Sequence, residues 1–207
     1  MRLPRPGVAE LAGGRPLAAI VRQPHFLSAV LYGVVSYTVM NLVMTSAPLA
    51  MRMCGLTLAA SNFAIQWHIV AMYAPSFCTG VLIARFGAQR IVAVGLASTL
   101  AAATVGLAGV TALHFSLALV LLGLGWNFGF VGASTLVLEA HRPEERTKVQ
   151  AFNDFIVFGT MAAGSFVSGQ VLILHGWAAV NWLVFPPVAL LVLLSSGLLR
   201  ARAVPAA

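Results

Sequence analysis

Residues 80–90 read Gly80-Val-Leu-Ile-Ala84-Arg85-Phe86-Gly87-Ala-Gln-Arg90, a short basic stretch that separates two long apolar runs. The runs cover roughly residues 60–83 and 91–111. A helix needs about 20 mostly apolar residues to cross a bilayer, so each run is long enough for one crossing. The stretch therefore predicts a tight turn between two membrane-spanning helices, with its arginines outside the hydrocarbon.

Six such apolar runs divide the chain, over residues 27–49, 60–83, 91–111, 115–138, 151–173 and 178–199. Only helices and closed barrels satisfy backbone groups in lipid, and these runs lack the two-residue alternation of barrel strands. We therefore predict an all-α membrane protein whose six transmembrane helices form one bundle over residues 26–200. Residues 1–25, rich in proline and arginine, are predicted to be a cytoplasmic tail or linker, and residues 201–207 a cytoplasmic tail.

The basic residues alternate from one connection to the next. Arg52 is the one basic residue in a connection on the predicted outer side. The other eleven fall in connections or tails on the opposite side: Arg2, Arg5, Arg15, Arg22, Arg85, Arg90, Arg142, Arg146, Lys148, Arg200 and Arg202. Short loops rich in Lys and Arg stay in the cytoplasm, so both termini are predicted inside. Eleven arginines against one lysine also fit a GC-rich bacterial genome, which places the chain in a bacterial inner membrane.

The composition excludes several classes of protein. Hydrophobic residues make up 60% of the chain and charged residues 8%, whereas a soluble domain is about 25% charged. The positive charge is scattered over five loops and tails without a continuous patch, which argues against a nucleic-acid partner. No catalytic arrangement, phosphate loop or set of metal ligands is present in the sequence, and no cofactor or enzymatic activity is predicted.

Polar residues follow one face of four predicted helices. Such residues are costly in lipid and usually face a bundle interior or a water-filled cavity. At 100° per residue, the first, second and fourth runs each present large polar or aromatic groups in this way. The predicted wall of a solute cavity consists of Tyr37, Asn41, Gln66, Trp126 and Asn127. For Asn41, Gln66 and Asn127, hydrogen bonding between helices is an equally open alternative. Trp126 lies about 100° from the face that carries Asn127.

Other intramembrane residues have simpler predicted roles. The third run carries a stripe of small residues that predicts helix packing: Gly95, Thr99, Ala102, Gly106 and Gly109. Trp177 and Trp182 are expected at the outer membrane interface. Asp154 lies about four residues inside the fifth run, so it is either a gating or proton-coupling group or a first-turn acid near a positive helix end.

The connection over residues 80–90 resembles the signature loop of the major facilitator superfamily. Gly80, Arg85, Gly87 and Arg90 match their places, whereas Ala84 departs from the family's acid. Gly80 is expected to let helices approach closely, and Gly87 to allow a sharp turn. Arg85 and Arg90 are expected to reach Glu139 and form a gating contact on the inner side.

The resemblance implies one half of a twelve-helix transporter, built from two inverted three-helix repeats. The stretch from Arg15-Pro16 to Arg22-Gln23-Pro24 resembles the linker that enters the seventh helix, so we assign the carboxyl-terminal half. Met40-Asn41 and Gln66-Trp67 also resemble helices of that half. The expected partners are the lipid bilayer, a small-molecule solute and a second six-helix half, in the same chain or a separate one.

Two functions remain open at this point. The first is transport of a small organic solute by alternating access, with this chain as one half of a secondary transporter. The alternative is a non-transporting membrane scaffold or regulatory subunit, or an inactive truncated transporter. The residues do not distinguish between substrates, directions of transport or coupling ions.

Overall fold

The computed structural model describes residues 14–193, and within that range every regular element is helical. The elements come in the following order along the chain. They are α1 (Leu17–Val21), α2 (Pro24–Met53), α3 (Leu58–Tyr73), α4 (Ser76–Phe86), α5 (Ala88–Ala108), α6 (Ala112–Glu139), a 3₁₀ turn (Pro143–Glu145) and α7 (Arg146–Trp182). Residues 185–193 form a further helix, α8, at the end of the described range.

Four helical stretches of the described chain are long and apolar enough to cross a membrane. The pair α3 and α4, which is bent by 41°, makes a fifth when it is counted as one span. The last stretch covers 51 residues, Pro143–Leu193, whereas one crossing takes about 20. Gly176 breaks this stretch with a φ of 77°. Two crossings fit its length, but the sixth span ends outside the described residues and stays a prediction.

The second predicted span is not one continuous helix. Pro75 follows the end of α3, and α4 begins one residue later. Proline lacks the N–H that would continue the helical ladder, and its ring clashes with the preceding turn. The run over residues 60–83 therefore folds as two half-spans, which corrects the prediction of a single helix.

Helices of one predicted three-helix repeat pack against helices of the other repeat. The central pair is α2 and α6, which pack against each other. In addition, α2 packs against α7, and α6 packs against α3 and α5. The first helix of each predicted three-helix repeat thus contacts the second helix of the other repeat. Two inverted repeats related by a two-fold axis give this exchange.

Three contacts bring the basic connections to one end of the bundle. The Arg15 guanidinium bonds to Glu145 beside the turn between α6 and α7. At the start of α2, His25 Nε2 lies 3.8 Å from Glu139 Oε2 at the end of α6. Arg90 lines a cavity of about 330 Å³ together with Glu139. Within residues 14–193 the basic connections thus meet at one end, and the orientation of this end in a membrane stays a prediction. Residues 1–13 and 201–207 of the predicted tails, with Arg2, Arg5, Arg200 and Arg202, lie outside the described residues.

The opposite end is held by Trp177. Its Nε1 donates to the Gly106 carbonyl at 2.9 Å, and its ring centroid lies 4.9 Å from that of Phe115. Trp177 is buried, whereas Trp182 is 61% exposed. Trp177 is therefore a contact between helices and not the interfacial anchor that the sequence predicts.

The small-residue stripe of α5 packs against neighbouring helices, as predicted: Gly95 and Thr99 lie against α6 and Gly106 against Asn181 of α7, while Gly109 lies just after α5. Gly95, Thr99, Ala102 and Gly106 are buried. A Cβ added at Gly95 would fall against the backbone nitrogen of Gly129 and 2.8 Å from the Gly125 carbonyl oxygen. Glycine is required here because the two backbones approach closely.

Candidate functional site

Five aromatic side chains from four helices form a continuous cluster on one side of the bundle. We name it the aromatic cluster; its members are Tyr37 (α2), Tyr73 (α3), Trp126 and Phe130 (α6), and Phe158 (α7). The Trp126 and Phe130 rings are stacked, with centroids 5.2 Å apart and an interplanar angle of 14°. Tyr37 meets Trp126, Phe130 and Phe158 edge to face at 5.1–5.6 Å.

The cluster is buried at its base and open at its edge. Trp126 is 7% exposed, whereas Phe158 is 43% and Tyr73 59% exposed. The Trp126 Nε1 atom is buried and has no hydrogen-bond partner in the described part of the chain. The exposed rings of Tyr73 and Phe158 offer stacking surfaces at the open edge, while the Trp126 N–H is an unsatisfied buried donor beneath them.

A polar edge lies one turn beyond Tyr37. The Asn41 amide nitrogen donates to the Ser165 hydroxyl on α7. One turn further, Thr45 Oγ1 donates to Ser168 Oγ at 2.9 Å. Asn41 is half-buried, so the residue joins α2 to α7 and still presents part of its surface. Both predicted roles, cavity lining and interhelical bonding, fit its position.

Asn127 lies in a helix–helix contact and not on an open wall. Its side chain is fully buried, and its Nδ2 donates to the Met72 carbonyl and to Ser76 Oγ, both at 2.7 Å. Its Oδ1 accepts from Thr79 Oγ1 at 2.7 Å. Of the two predicted roles of Asn127, the structure shows hydrogen bonding between helices and not cavity lining, and the adjacent Trp126 faces the cluster instead.

Gln66 lies on the face of α3 that carries Tyr73, two turns away. It is exposed and lines a groove of about 460 Å³ with Phe63, Trp67, Ile69 and Val70. The structure does not bring Gln66 into the aromatic cluster. A role for it in solute contact stays a prediction.

The residues predicted to form the inner gating contact lie close together without pairing. Among residues 14–193, no ion pair joins Glu139 to Arg85 or Arg90, and Glu139 faces His25 instead. Arg85 lies over the ring of its neighbour Phe86, at 5.3 Å from the centroid. Since Arg90 and Glu139 line the same cavity, the gating contact stays a prediction for another conformation.

The two glycines of the signature stretch behave differently. Gly87 has a φ of 87° and separates α4 from α5, which confirms the sharp turn. At Gly80, an added Cβ would meet nothing within 4 Å. The close approach predicted at Gly80 is therefore absent between the described parts of this chain.

Asp154 is the ninth residue of α7, because the helix begins at Arg146. It is exposed, and its Oδ1 accepts from the Asn153 amide at 3.1 Å. This position excludes the first-turn interpretation, since helix-dipole effects fade within the first turn. A gating or proton-coupling role for Asp154 is still a prediction.

Three members of the cluster, Tyr73, Phe130 and Phe158, are not among the residues predicted for the site. Phe130 follows Trp126 by four positions, a spacing that puts two rings on the same helix face. That spacing was the available signal. The polar neighbour Asn127 pointed to the wrong face of α6.

Three curated bacterial proteins resemble the chain. A riboflavin transporter, RfnT, of Brucella anthropi is 51% identical over 177 residues, which are 86% of this chain and 44% of the relative. Two Bacillus subtilis (strain 168) proteins are described as uncharacterized MFS-type transporters. YdeG is 37% identical over 67% of this chain and 33% of its own length. YddS is 34% identical over 79% of this chain and 38% of its own length.

The chain spans less than half the length of each of these relatives. All three carry the name of a transporter, and none that of an enzyme. No model of a protein family matches the chain. No solved structure matches it either.

Proposed function

We propose that the chain forms one six-helix half of a secondary transporter for a small organic solute. The premise is that the chain is a homologue of bacterial transporters of the major facilitator superfamily type. We assign it to the carboxyl half, in a bacterial inner membrane with both termini cytoplasmic. The lengths of the relatives support a second half, because each extends well beyond the region matched. Alternating access then moves this bundle against the other about a site between them.

The aromatic cluster is the observation that carries this proposal. It draws rings from the central helices α2 and α6 and from the flanking helices α3 and α7. Stacked and edge-to-face pairs contribute about 0.5–1.5 kcal/mol each beyond burial, so a planar solute that replaces water on these rings gains comparable contacts. The polar edge at Asn41 and Ser165 supplies hydrogen bonds beside them.

For the solute, we propose riboflavin or a flavin-like molecule. The relative at 51% identity is named a riboflavin transporter. A flat, fused ring system matches the exposed rings of Tyr73 and Phe158 at the open edge of the cluster, and the Asn41 amide lies beside them on α2. This choice of solute rests on one relative and on the shape of the cluster.

Uptake of radiolabelled riboflavin tests the proposal. Cells that cannot import riboflavin would express the gene's complete reading frame, with equal protein levels verified in the membrane. We expect Trp126→Ala and Tyr37→Ala to reduce uptake at least tenfold, because each removes several ring contacts. Trp67→Ala is the matched control: Trp67 is 49% exposed and pairs with Phe63 outside the cluster.

Normal uptake by Trp126→Ala would show that the cluster is structural. Absence of riboflavin uptake by the unaltered protein would reject riboflavin as the solute. Sequencing the DNA upstream of Met1 tests the assignment to one half: an in-frame continuation that encodes six further spans supports it. Stable expression of the chain alone, with no second half encoded nearby, would favour the membrane scaffold.

A further inference from the structure

The break between α3 and α4 lies beside the aromatic cluster. Tyr73 is the last residue of α3 and a member of the cluster, and Pro75 stands just before α4. The two half-spans meet at 41°. Without a proline N–H, this junction loses part of the regular helical ladder, so other groups must fix its angle.

Asn127 supplies those groups from the neighbouring helix. Its amide nitrogen reaches the Met72 carbonyl in the last turn of α3 and the Ser76 hydroxyl in the first turn of α4. Its amide oxygen accepts from Thr79, one turn further along α4. One fully buried side chain thus holds both sides of the break.

Few other contacts of the described chain hold α4. Within the described range, Thr79 is the one residue of α4 that is buried, whereas Phe77 is 94% and Val81 68% exposed. The open space at Gly80 continues this exposed surface. A half-span with little packing moves more readily than one in a core, so the bonds to Asn127 dominate its placement.

Asn127 also follows Trp126 directly in α6. The Trp126 ring lies 5.9 Å from that of Tyr73, while the Asn127 amide bonds to the carbonyl of Met72, the residue before Tyr73. Two consecutive residues of α6 therefore contact two consecutive residues of α3, one pair in the cluster and one pair at the break.

We propose that Asn127 is a positioning residue that sets the angle of α4 and couples it to the aromatic cluster. A solute that shifts Trp126 moves Asn127 with it, and the bonds to Thr79 and Ser76 carry this movement to α4. The coupling part rests on the proposed transport function. The positioning part stands on the geometry of the break alone.

The two cysteines of the chain, Cys54 and Cys78, provide the measurement. Both are exposed; Cys54 directly follows α2, and Cys78 lies in α4. The intervening α3 has 16 residues, which gives it a length of about 24 Å. Nitroxide labels on both cysteines, in lipid nanodiscs, then report the placement of α4 by pulsed electron–electron dipolar spectroscopy.

Thr79→Val and Asn127→Leu are the informative variants, because each keeps the side-chain size and removes the hydrogen bond between Thr79 Oγ1 and Asn127 Oδ1. Thr79→Val also removes the contact of Thr79 with the Pro75 carbonyl, so an effect shared by both variants is the one that is assigned to Asn127. Without solute, we expect a narrow distance distribution in the unaltered protein and a broader or shifted one in both variants. Asn62→Leu is the control, since Asn62 is an exposed amide on α3. Unchanged distributions in both informative variants would overturn the inference, whatever the solute.

Riboflavin is then added to test the coupling. We expect it to shift the distribution in the unaltered protein but not in Thr79→Val. Because this variant breaks the link that carries the movement to α4, we expect roughly fivefold slower turnover, a change of the size that one hydrogen bond makes to an equilibrium, with a smaller change in apparent KM. If the unaltered protein transports riboflavin without any shift in distance, the coupling is wrong. If it does not transport riboflavin, the proposed solute fails, while the solute-free distributions still decide the positioning role.

Discussion

Arg15 and Glu145, 130 positions apart in the sequence, form a two-pronged ion pair at the basic end of the bundle. Arg15 Nε and Nη2 each lie 2.8 Å from a different oxygen of the Glu145 carboxylate. The backbone nitrogens of Arg15 and Arg142 donate to the same carboxylate at 2.8 and 2.9 Å. The Glu145 side chain is fully enclosed, so this contact ties the segment before α2 to the turn between α6 and α7.

Glu145→Gln is expected to release that segment. The amide keeps the size of the side chain but loses the charge that both Arg15 nitrogens need. Limited trypsin digestion of inside-out vesicles measures the release, because Arg22 is exposed just after α1. We expect cleavage after Arg22 to become several-fold faster than in the unaltered protein.

The control for this experiment is Glu144→Gln, which changes the neighbouring exposed carboxylate. It should leave the cleavage rate unchanged. Equal rates in the unaltered protein and in Glu145→Gln would show that the ion pair does not hold the segment.

The contribution of this contact to stability should not depend on pH above about 5. The Arg15 guanidinium, followed by the Arg142 N–H, holds the pKa of the Glu145 carboxyl far below its ordinary value. For a lowered carboxyl pKa, the stabilisation is complete above the unfolded pKa of about 4.3 and is lost only as the pH falls below it. The difference in melting temperature between the unaltered protein and Glu145→Gln should therefore be constant from pH 8 to 5. A difference that shrinks within this window would contradict the expectation.

Gly95→Ala should destabilise the contact between α5 and α6. The new methyl group would meet backbone atoms of Gly125 and Gly129, which cannot move aside as a flexible side chain would. Overpacking of this kind costs about 1–3 kcal/mol. Gly80→Ala is the matched control, with open space at the same atom. Thermal unfolding in detergent compares the two, and equal melting temperatures would refute the close approach.

Trp177→Phe should weaken the opposite end of the bundle. Phenylalanine keeps an aromatic ring beside Phe115 but lacks the N–H that donates to the Gly106 carbonyl. Loss of this hydrogen bond should lower the free energy of unfolding by about 1 kcal/mol. Trp182→Phe changes an exposed ring and should have little effect. Thermal unfolding again provides the measurement. Equal losses in both variants would mean that Trp177 acts through general hydrophobicity.

Hydrophobic length and charge predicted most of the fold. The apolar runs, the turn at Gly87 and the packing stripe around Gly95 follow from the cost of polar backbone in lipid and from the small size of glycine. The break at Pro75 was also readable, because proline interrupts a helix wherever it lies in the interior. Hydrophobic length alone does not reveal this break, because the apolar run continues through Pro75.

The candidate site was less predictable, since it depends on the rotation of each helix. Tyr37 and Asn41 lie where the polar face of α2 places them. On α6, however, polarity selected Asn127, which is buried against another helix, while the aromatic Trp126 faces the cluster. A polar group in lipid needs a partner, and a second helix satisfies that need as well as a water-filled cavity does. Periodicity alone cannot distinguish the two.

The turn at Gly176 leaves little exposed loop for another molecule to bind at the end of the bundle opposite Arg15. One left-handed glycine turns the backbone there, with helix on both sides. No loop protrudes at this corner for an antibody, a tag or another protein to hold. Longer loops, to which an antibody or a label could bind, lie at residues 54–57 and 109–111, between consecutive helices. Impermeant labelling of Cys54 in intact cells would therefore reveal which way the bundle is inserted.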